Sequence, residues 1–211
     1  MDEALAQMPI IAILRGVKPD EILAVAEALY SAGVRVLEVP LNSPEPLDSI
    51  ARLKAMTGRV VYGAGTVLGP GAVDAVAQAG GKLIVSPNTD PAVIRHAVEC
   101  GMVPMPGFAS ATEAFCALAA GARYLKLFPA STYGPRHLKA LKAVLPAEAV
   151  VQPVGGVRLD EMPAWWAAGA RGFGLGGSLY KPGFTPAQVK EAALAAVAAV
   201  TALMTADQTR Q

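Results

Sequence analysis

Two charged residues stand inside otherwise apolar runs, and they carry the most chemical potential in the chain. Lys126 lies in Tyr124-Leu125-Lys126-Leu127-Phe128 and Glu38 in Val36-Leu37-Glu38-Val39-Pro40. Side chains on a strand alternate between its faces. Leu125 and Leu127 therefore point one way and Lys126 the other, and Leu37 and Val39 flank Glu38 in the same manner. If the leucines pack beneath helices, both charged groups face the interior. A lysine withdrawn from water gives up its proton rather than carry an uncompensated charge. The neutral amine is a nucleophile toward carbonyls and forms Schiff bases. A carboxylate beside it moves the protons that imine formation and carbon–carbon cleavage require. The plainer reading is a buried ion pair, an arrangement that adds little stability over apolar packing.

Two glycine clusters come next. Val154-Gly155-Gly156-Val157 and Gly174-Leu175-Gly176-Gly177-Ser178 each follow or end an apolar run. Exposed backbone N–H groups at such turns, with a helix N-terminus, cradle phosphate in many barrels. Either cluster alone serves a tight turn equally well, but two at adjacent strand ends point to phosphate. Arg158 and Lys181, close by in sequence, read as solvated. Gly172, Gly174 and Gly177 also fit G-x-G-x-x-G, yet the dinucleotide reading needs a strand before them and a further βα unit after. His96 and His137 read as sharing no metal-ligand spacing with Cys100 or Cys116, so no metal site is expected. The two cysteines read as small buried hydrophobes on helices, and Trp165-Trp166 as outer packing or a subunit contact.

The elements that must position these residues repeat along the chain. Short runs rich in Val, Ile and Leu predict strands at 10–15, 34–41, 60–66, 83–87, 102–106, 124–129, 150–154 and 172–176, each followed by a helical pattern. Proline and acids mark helix starts, as at Pro19-Asp20-Glu21 and Pro70, and glycine marks stops, as at Gly33 and Gly101. Ser110 with Glu113 has the form of a capping box. Alternating strands and helices imply a parallel sheet. Eight units imply a single-domain α/β fold spanning 1–211, a (β/α)₈ TIM barrel near the small end of that fold's range of about 200–400 residues. An open doubly wound sheet is the alternative. In a barrel the chemistry sits where strands end, which gathers Arg15, Glu38 with Asn42, Thr66, Pro87, Lys126, the Gly155-Gly156 pair and the Gly176–Ser178 turn.

Composition narrows the classes. Of 211 residues, 53% are hydrophobic and 17% charged, and eighteen basic against seventeen acidic residues leave a net charge of +1. Nucleic-acid binding needs a basic excess and disorder needs low hydrophobicity; neither fits. Two cysteines are too few for a disulfide scaffold. Mean hydropathy is +0.40, yet the longest apolar stretch, Ala192–Met204, is 13 residues against the roughly 20 of a membrane span. With no basic start and apolar run at Met1-Asp2-Glu3, a soluble, cytoplasmic protein is expected, its strands buried on both faces.

The sequence resembles the small class I aldolases that cleave 2-keto-3-deoxy-6-phospho sugar acids, and more closely their 2-dehydro-3-deoxy-6-phosphogalactonate branch. The matching segments run in order over essentially the whole chain. They are Ile11-Ala-Ile-Leu-Arg-Gly16, Leu37-Glu-Val-Pro-Leu-Asn-Ser-Pro44, Gly63-Ala-Gly-Thr-Val67, Ile84-Val-Ser-Pro-Asn88, Leu125-Lys-Leu-Phe-Pro129, Val154-Gly-Gly156 and Gly174-Leu-Gly176. The resemblance implies Lys126 as Schiff-base lysine and Glu38 as general acid/base. It implies Arg15, Thr66 and Phe128 as substrate-binding, Pro87 as orienting Glu38, and Gly155, Gly156, Gly176 and Ser178 as the phosphate site. It further implies a homotrimer without metal or organic cofactor. Products would be pyruvate and glyceraldehyde 3-phosphate, and no nucleic acid or membrane is involved. Gluconate-configured relatives carry Glu-Val-Thr-Leu-Arg where this chain has Glu38-Val-Pro-Leu-Asn42, and usually Thr where it has Val154. Asn42 and Val154 therefore mark the galactonate branch, with cross-activity on the gluconate epimer expected. A phosphosugar isomerase working without an imine, and a barrel that only binds phosphorylated ligands, are the rival functions.

Overall fold

The computed structural model describes residues 1–208. A short helix not anticipated from the sequence, α1 (Asp2–Gln7), precedes β1 (Ile10–Ile13). Strand and helix then alternate as α2 (Ile22–Ala32), β2 (Val36–Pro40), α3 (Pro46–Arg52), β3 (Val61–Gly65), α4 (Pro70–Gln78), β4 (Leu83–Val85) and α5 (Pro91–Glu99). They continue with β5 (Val103–Met105), β6 (Gly107–Phe108), α6 (Ala111–Ala119), β7 (Tyr124–Leu127), α7 (Ala130–Lys142), β8 (Val150–Pro153), α8 (Met162–Ala167), β9 (Phe173–Leu175) and α9 (Pro186–Gln208). The local signals act as expected. Proline opens α3, α4 and α5, where its missing N–H costs nothing. The Asp90 carboxylate accepts from Ala92 N at 2.8 Å. Ser110 and Glu113 close the capping box that starts α6.

All strand pairs are parallel, in two sheets ordered β5-β4-β3-β2-β1-β9 and β6-β7-β8. The predicted fifth strand is thus two. Pro104 and Pro106 have no N–H to give a ladder, so 103–105 pairs only with β4 while 107–108 pairs with β7. The sheets adjoin at two places. Pro106 O accepts from Lys126 N at 2.9 Å, and Val154 bridges to Gly174.

Alternation divides the core. Ile10, Ala12 and Leu14, Leu37 and Val39, and Leu125 and Leu127 belong to the layer between strands and helices. Ile11, Ile13, Val36, Leu83, Val85, Met105, Tyr124 and Val154 form a second cluster on the opposite strand faces. Leu5 of α1 joins that inner cluster. Asp2 accepts hydrogen bonds from the Tyr124 hydroxyl and from Arg123, which ties α1 across the strands' N-terminal ends. The last helix departs from expectation: over Pro186–Asp207 it is 22 residues long and holds an 18-residue window of mean hydropathy 1.5, long and apolar enough by length and composition to cross a membrane. Here it lies along α2, with Val189, Ala193, Ala196 and Val200 buried. The cysteines also differ from their reading, since Cys116 is exposed and Cys100 half-buried.

Candidate active site

Register places the two charged strand residues on the inner face. Glu38 pairs with Ile13 on β1 and Gly63 on β3, and Lys126 pairs with Gly107 on β6 and Gln152 on β8. Their leucine and valine neighbours pack under the helices, as alternation requires. Glu38 is 2% exposed and Lys126 6%. Both line one cavity of about 510 Å³ with Ile13, Arg15, Phe128, Val154 and the two glycine turns. The Lys126 amine sits 4.7 Å from the centre of the Phe128 ring.

Burial dominates the electrostatics of both groups. It pushes the Glu38 carboxyl above the ordinary carboxylate range, against the opposing pull of Lys126 and Arg15. It drives the Lys126 amine below the ordinary lysine value, with Glu38 opposing and Arg15 adding to the effect. Each shift favours the neutral form. The pair is therefore poised to exchange protons, unlike a stabilising ion pair, in which both groups stay charged.

The space for the Glu38 carboxylate comes from Gly65. A Cβ at Gly65 would lie 1.4 Å from Glu38 Oε1 and 2.2 Å from its Cδ. Arg15 reaches the cavity from the end of β1, and its guanidinium donates to Asn42 Oδ1 at 2.6 Å. Asn42 thus holds Arg15 without lining the cavity itself.

The glycine turns, at the ends of β8 and β9, line the cavity between β7 and β1. Gly155 and Gly156 have φ of 93° and 77°, in the left-handed region that glycine enters without penalty. A Cβ on Gly156 would meet Ser131 Cβ at 2.7 Å, so that turn is packed against the first residues of α7. In the second turn, Leu179 N and Tyr180 N both donate to Gly176 O. The first N–H groups of such a turn have no acceptor within it, which leaves those of Gly177 and Ser178 for a ligand.

Of the predicted residues, Arg15, Glu38, Lys126, Phe128, Val154, Gly155, Gly156, Gly176 and Ser178 are brought together around this cavity. Thr66 and Pro87 are not among its lining residues. Thr66, half-buried at the end of β3, has φ 59°, and Pro87 O sits where a Cβ on Gly107 would fall, 2.2 Å from it. Lys181 is exposed, as read, and also lines the cavity, whereas Arg158 is engaged by Asp160 on the surface. The sequence reading also passed over Gln152. It is the third polar residue inside an apolar strand, fully buried opposite Lys126, and its amide has no protein partner among the described residues. The signal that singled out Glu38 and Lys126 applies to it equally. A larger cavity, about 750 Å³, opens beside α1 at the other strand ends. Its Arg35 and Arg59 both stack on Tyr30, 4.3 Å from the ring centre, and Arg59 pairs with Glu27 at 2.6 Å, so these two of its cations are already engaged, while Lys82 also lines it.

Residues 1–200 match the family model for aldolases of the KDPG and KHG type. The chain is 50% identical over 194 residues to the 2-dehydro-3-deoxy-6-phosphogalactonate aldolase of Escherichia coli K12, covering 92% of this chain and 95% of that one. The native structure of KDPGal superposes with a TM-score of 0.92 at 48% identity, over 94% of this chain and 97% of the other. A cube-shaped porous cage designed by fusing symmetric oligomeric domains matches with a TM-score of 0.94 at 47% identity, over 97% of this chain and 76% of that one. With this agreement over nearly its full length, the chain belongs to the KDPG and KHG aldolase family.

Proposed function

We propose that this enzyme is a class I aldolase that reversibly cleaves 2-dehydro-3-deoxy-6-phosphogalactonate to pyruvate and glyceraldehyde 3-phosphate. The observation that carries this reading is the Lys126 amine, buried in the cavity and driven toward its neutral form beside Glu38. Neutral Lys126 attacks the C2 ketone. Glu38 shuttles protons as the carbinolamine loses water to give an iminium. The iminium draws electrons from the C3–C4 bond while Glu38, directly or through a water, takes the C4 hydroxyl proton. Glyceraldehyde 3-phosphate leaves, the enamine takes a proton at C3, and water hydrolyses the imine to release pyruvate and free Lys126.

Arg15 binds the substrate from the position Asn42 fixes. Thr66 and Phe128 flank the pyruvate-derived portion, and the backbone at Pro87 orients Glu38. Gly155, Gly156, Gly176 and Ser178 take the phosphate through backbone N–H groups and a hydroxyl, with Lys181 supplying charge at the rim. Asn42 and Val154 set the galactonate preference. The gluconate epimer, differing at one hydroxyl, is disfavoured by about 1–3 kcal/mol if one polar contact discriminates, so it is also turned over.

The two adjoining sheets are read as arcs of one closed (β/α)₈ barrel, a single domain over 1–211. The contacts at Pro106 and at Val154–Gly174 support closure. The likeness to a cage designed by fusing symmetric oligomeric domains supports an oligomer, and we take it as the homotrimer the family resemblance implies; a cytoplasmic, galactonate-degrading role without cofactor accords with the family. The test is reduction with borohydride in the presence of pyruvate, followed by peptide mass spectrometry, alongside lactate-dehydrogenase-coupled pyruvate release. A pyruvate-derived adduct on Lys126 is expected. Trapping and activity that persist in Lys126→Ala overturn the assignment.

A further inference from the structure

Outside the cavity, on the outer surface where α4 meets α5, three potential ligands of different chemistry converge. His96 Nε2 lies 2.7 Å from Asp74 Oδ1. Cys100 Sγ lies 3.8 Å from His96 Nε2 and 4.0 Å from Asp74 Oδ1. His96 and Cys100 stand one turn apart at the end of α5, a spacing that puts both on one helix face. Asp74 comes from the neighbouring helix α4. His96 and Cys100, which the sequence reading takes to share no metal-ligand spacing, stand in an i, i+4 relation, and Asp74 reaches them from 22 residues away in the chain.

We propose that Asp74, His96 and Cys100 form a binding site for a zinc-class divalent ion. Zinc takes thiolate, imidazole and carboxylate at about 2.0–2.3 Å in a tetrahedron, so its ligand atoms stand about 3.3–3.6 Å apart. The three separations here bracket that range, and about half an ångström of side-chain movement brings all of them into it. Asp74 and His96 have that freedom, being 51% and 30% exposed. The donor set selects the metal. A thiolate with an imidazole suits zinc or cobalt, whereas magnesium and calcium prefer all-oxygen sites. A thiolate and a carboxylate neutralise the dication, and solvent supplies the fourth ligand on the open side.

The ring's other nitrogen fits as well. Glu99 Oε2 lies 3.6 Å from His96 Nδ1, in the place where a carboxylate commonly steadies a metal-bound histidine. A Cys-His-Asp nucleophilic triad does not fit, because in a triad the acid and the nucleophile engage opposite ring nitrogens. Here Asp74 and Cys100 both approach Nε2. A metal held there staples α4 to α5.

Cobalt(II) added to the reduced, full-length protein reads the site directly. A saturable thiolate-to-cobalt charge-transfer band at one equivalent per chain, abolished by added zinc, is expected. Cys100→Ser loses the band and keeps aldolase activity, Cys116→Ser keeps it, and Glu99→Gln weakens cobalt affinity by about tenfold. Zinc raises the melting temperature of the wild type and not that of Asp74→Asn. The absence of a saturable band, a band that survives Cys100→Ser, or one lost in Cys116→Ser overturns the site.

Discussion

Replacing Gly65 by alanine tests how tightly the fold positions Glu38. The added Cβ would stand 1.4 Å from Glu38 Oε1, where ordinary contact begins near 3.4 Å. The carboxylate must retreat by about 2 Å. Its neighbour is a flexible side chain, so the fold accommodates the change by turning Glu38 aside, at the roughly 1–3 kcal/mol typical of overpacking. The catalytic cost is larger. A misplacement of about 1 Å costs on the order of 100-fold, and a general acid/base contributes about 10²–10⁴-fold. Pyruvate release, coupled to lactate dehydrogenase, should therefore fall at least about 100-fold in kcat, equivalent to about 2.7 kcal/mol of barrier. Thermal melting should remain cooperative. Lys126 keeps its place, so cyanoborohydride still traps pyruvate on it, at a reduced rate. Gly63→Ala is the contrasting control, because its Cβ would meet the Leu83 backbone carbonyl oxygen at 2.0 Å, and loss of folded protein is expected instead. Wild-type kcat in a well-folded Gly65→Ala protein would refute the claim that this carboxylate position matters.

Arg15→Gln removes a positive charge that holds the pKa of Lys126 down, so the limb of the pyruvate-trapping rate that rises as the amine deprotonates should move to higher pH; an unmoved or lowered limb contradicts the electrostatic account. Lys126→Met should flatten the pH dependence of stability that the buried amine contributes. The sign follows from linkage: below its ordinary pKa the unfolded lysine binds more proton than the folded one, so wild-type stability rises with pH in the window between the lowered pKa and 10.5. Denaturant titrations across that window should show the slope reduced in the variant, and an unchanged slope would place the effect elsewhere. Ser178→Asp sets a carboxylate at the turn proposed to take the substrate phosphate, where like charges at about 4 Å cost about 1–4 kcal/mol between water-like and surface dielectrics. KM for the phosphorylated substrate should rise about tenfold or more while cleavage of the unphosphorylated sugar acid is spared, and equal losses on both would remove the phosphate assignment from this turn.

Local physics was legible in the chain itself. Period-2 alternation around Lys126 and Glu38 sent both groups to the inner face, because leucines on either side had helices to pack against. Proline and glycine set the helix limits, and the Ser110–Glu113 box capped α6 as its spacing required. What depended on distant contacts stayed hidden. The fifth strand split because Pro104 and Pro106, turned to the same side, withhold N–H groups from β7 while the other edge still pairs with β4, a matter of which strands lie alongside. Helix α1 forms where Leu5 and Asp2 meet residues far along the chain, among them Tyr124. Gly65 looks like any strand glycine until Glu38 is placed against it. Asn42 gains its role by gripping Arg15, and Asp74 by meeting His96, across 27 and 22 residues. Sequence alone determined which residues stand out by chemical type and which face they take, since both follow from side-chain type and the two-residue period of a strand. Only the tertiary structure decided who stands within reach of whom, because that depends on strand register and helix packing, which no local spacing encodes.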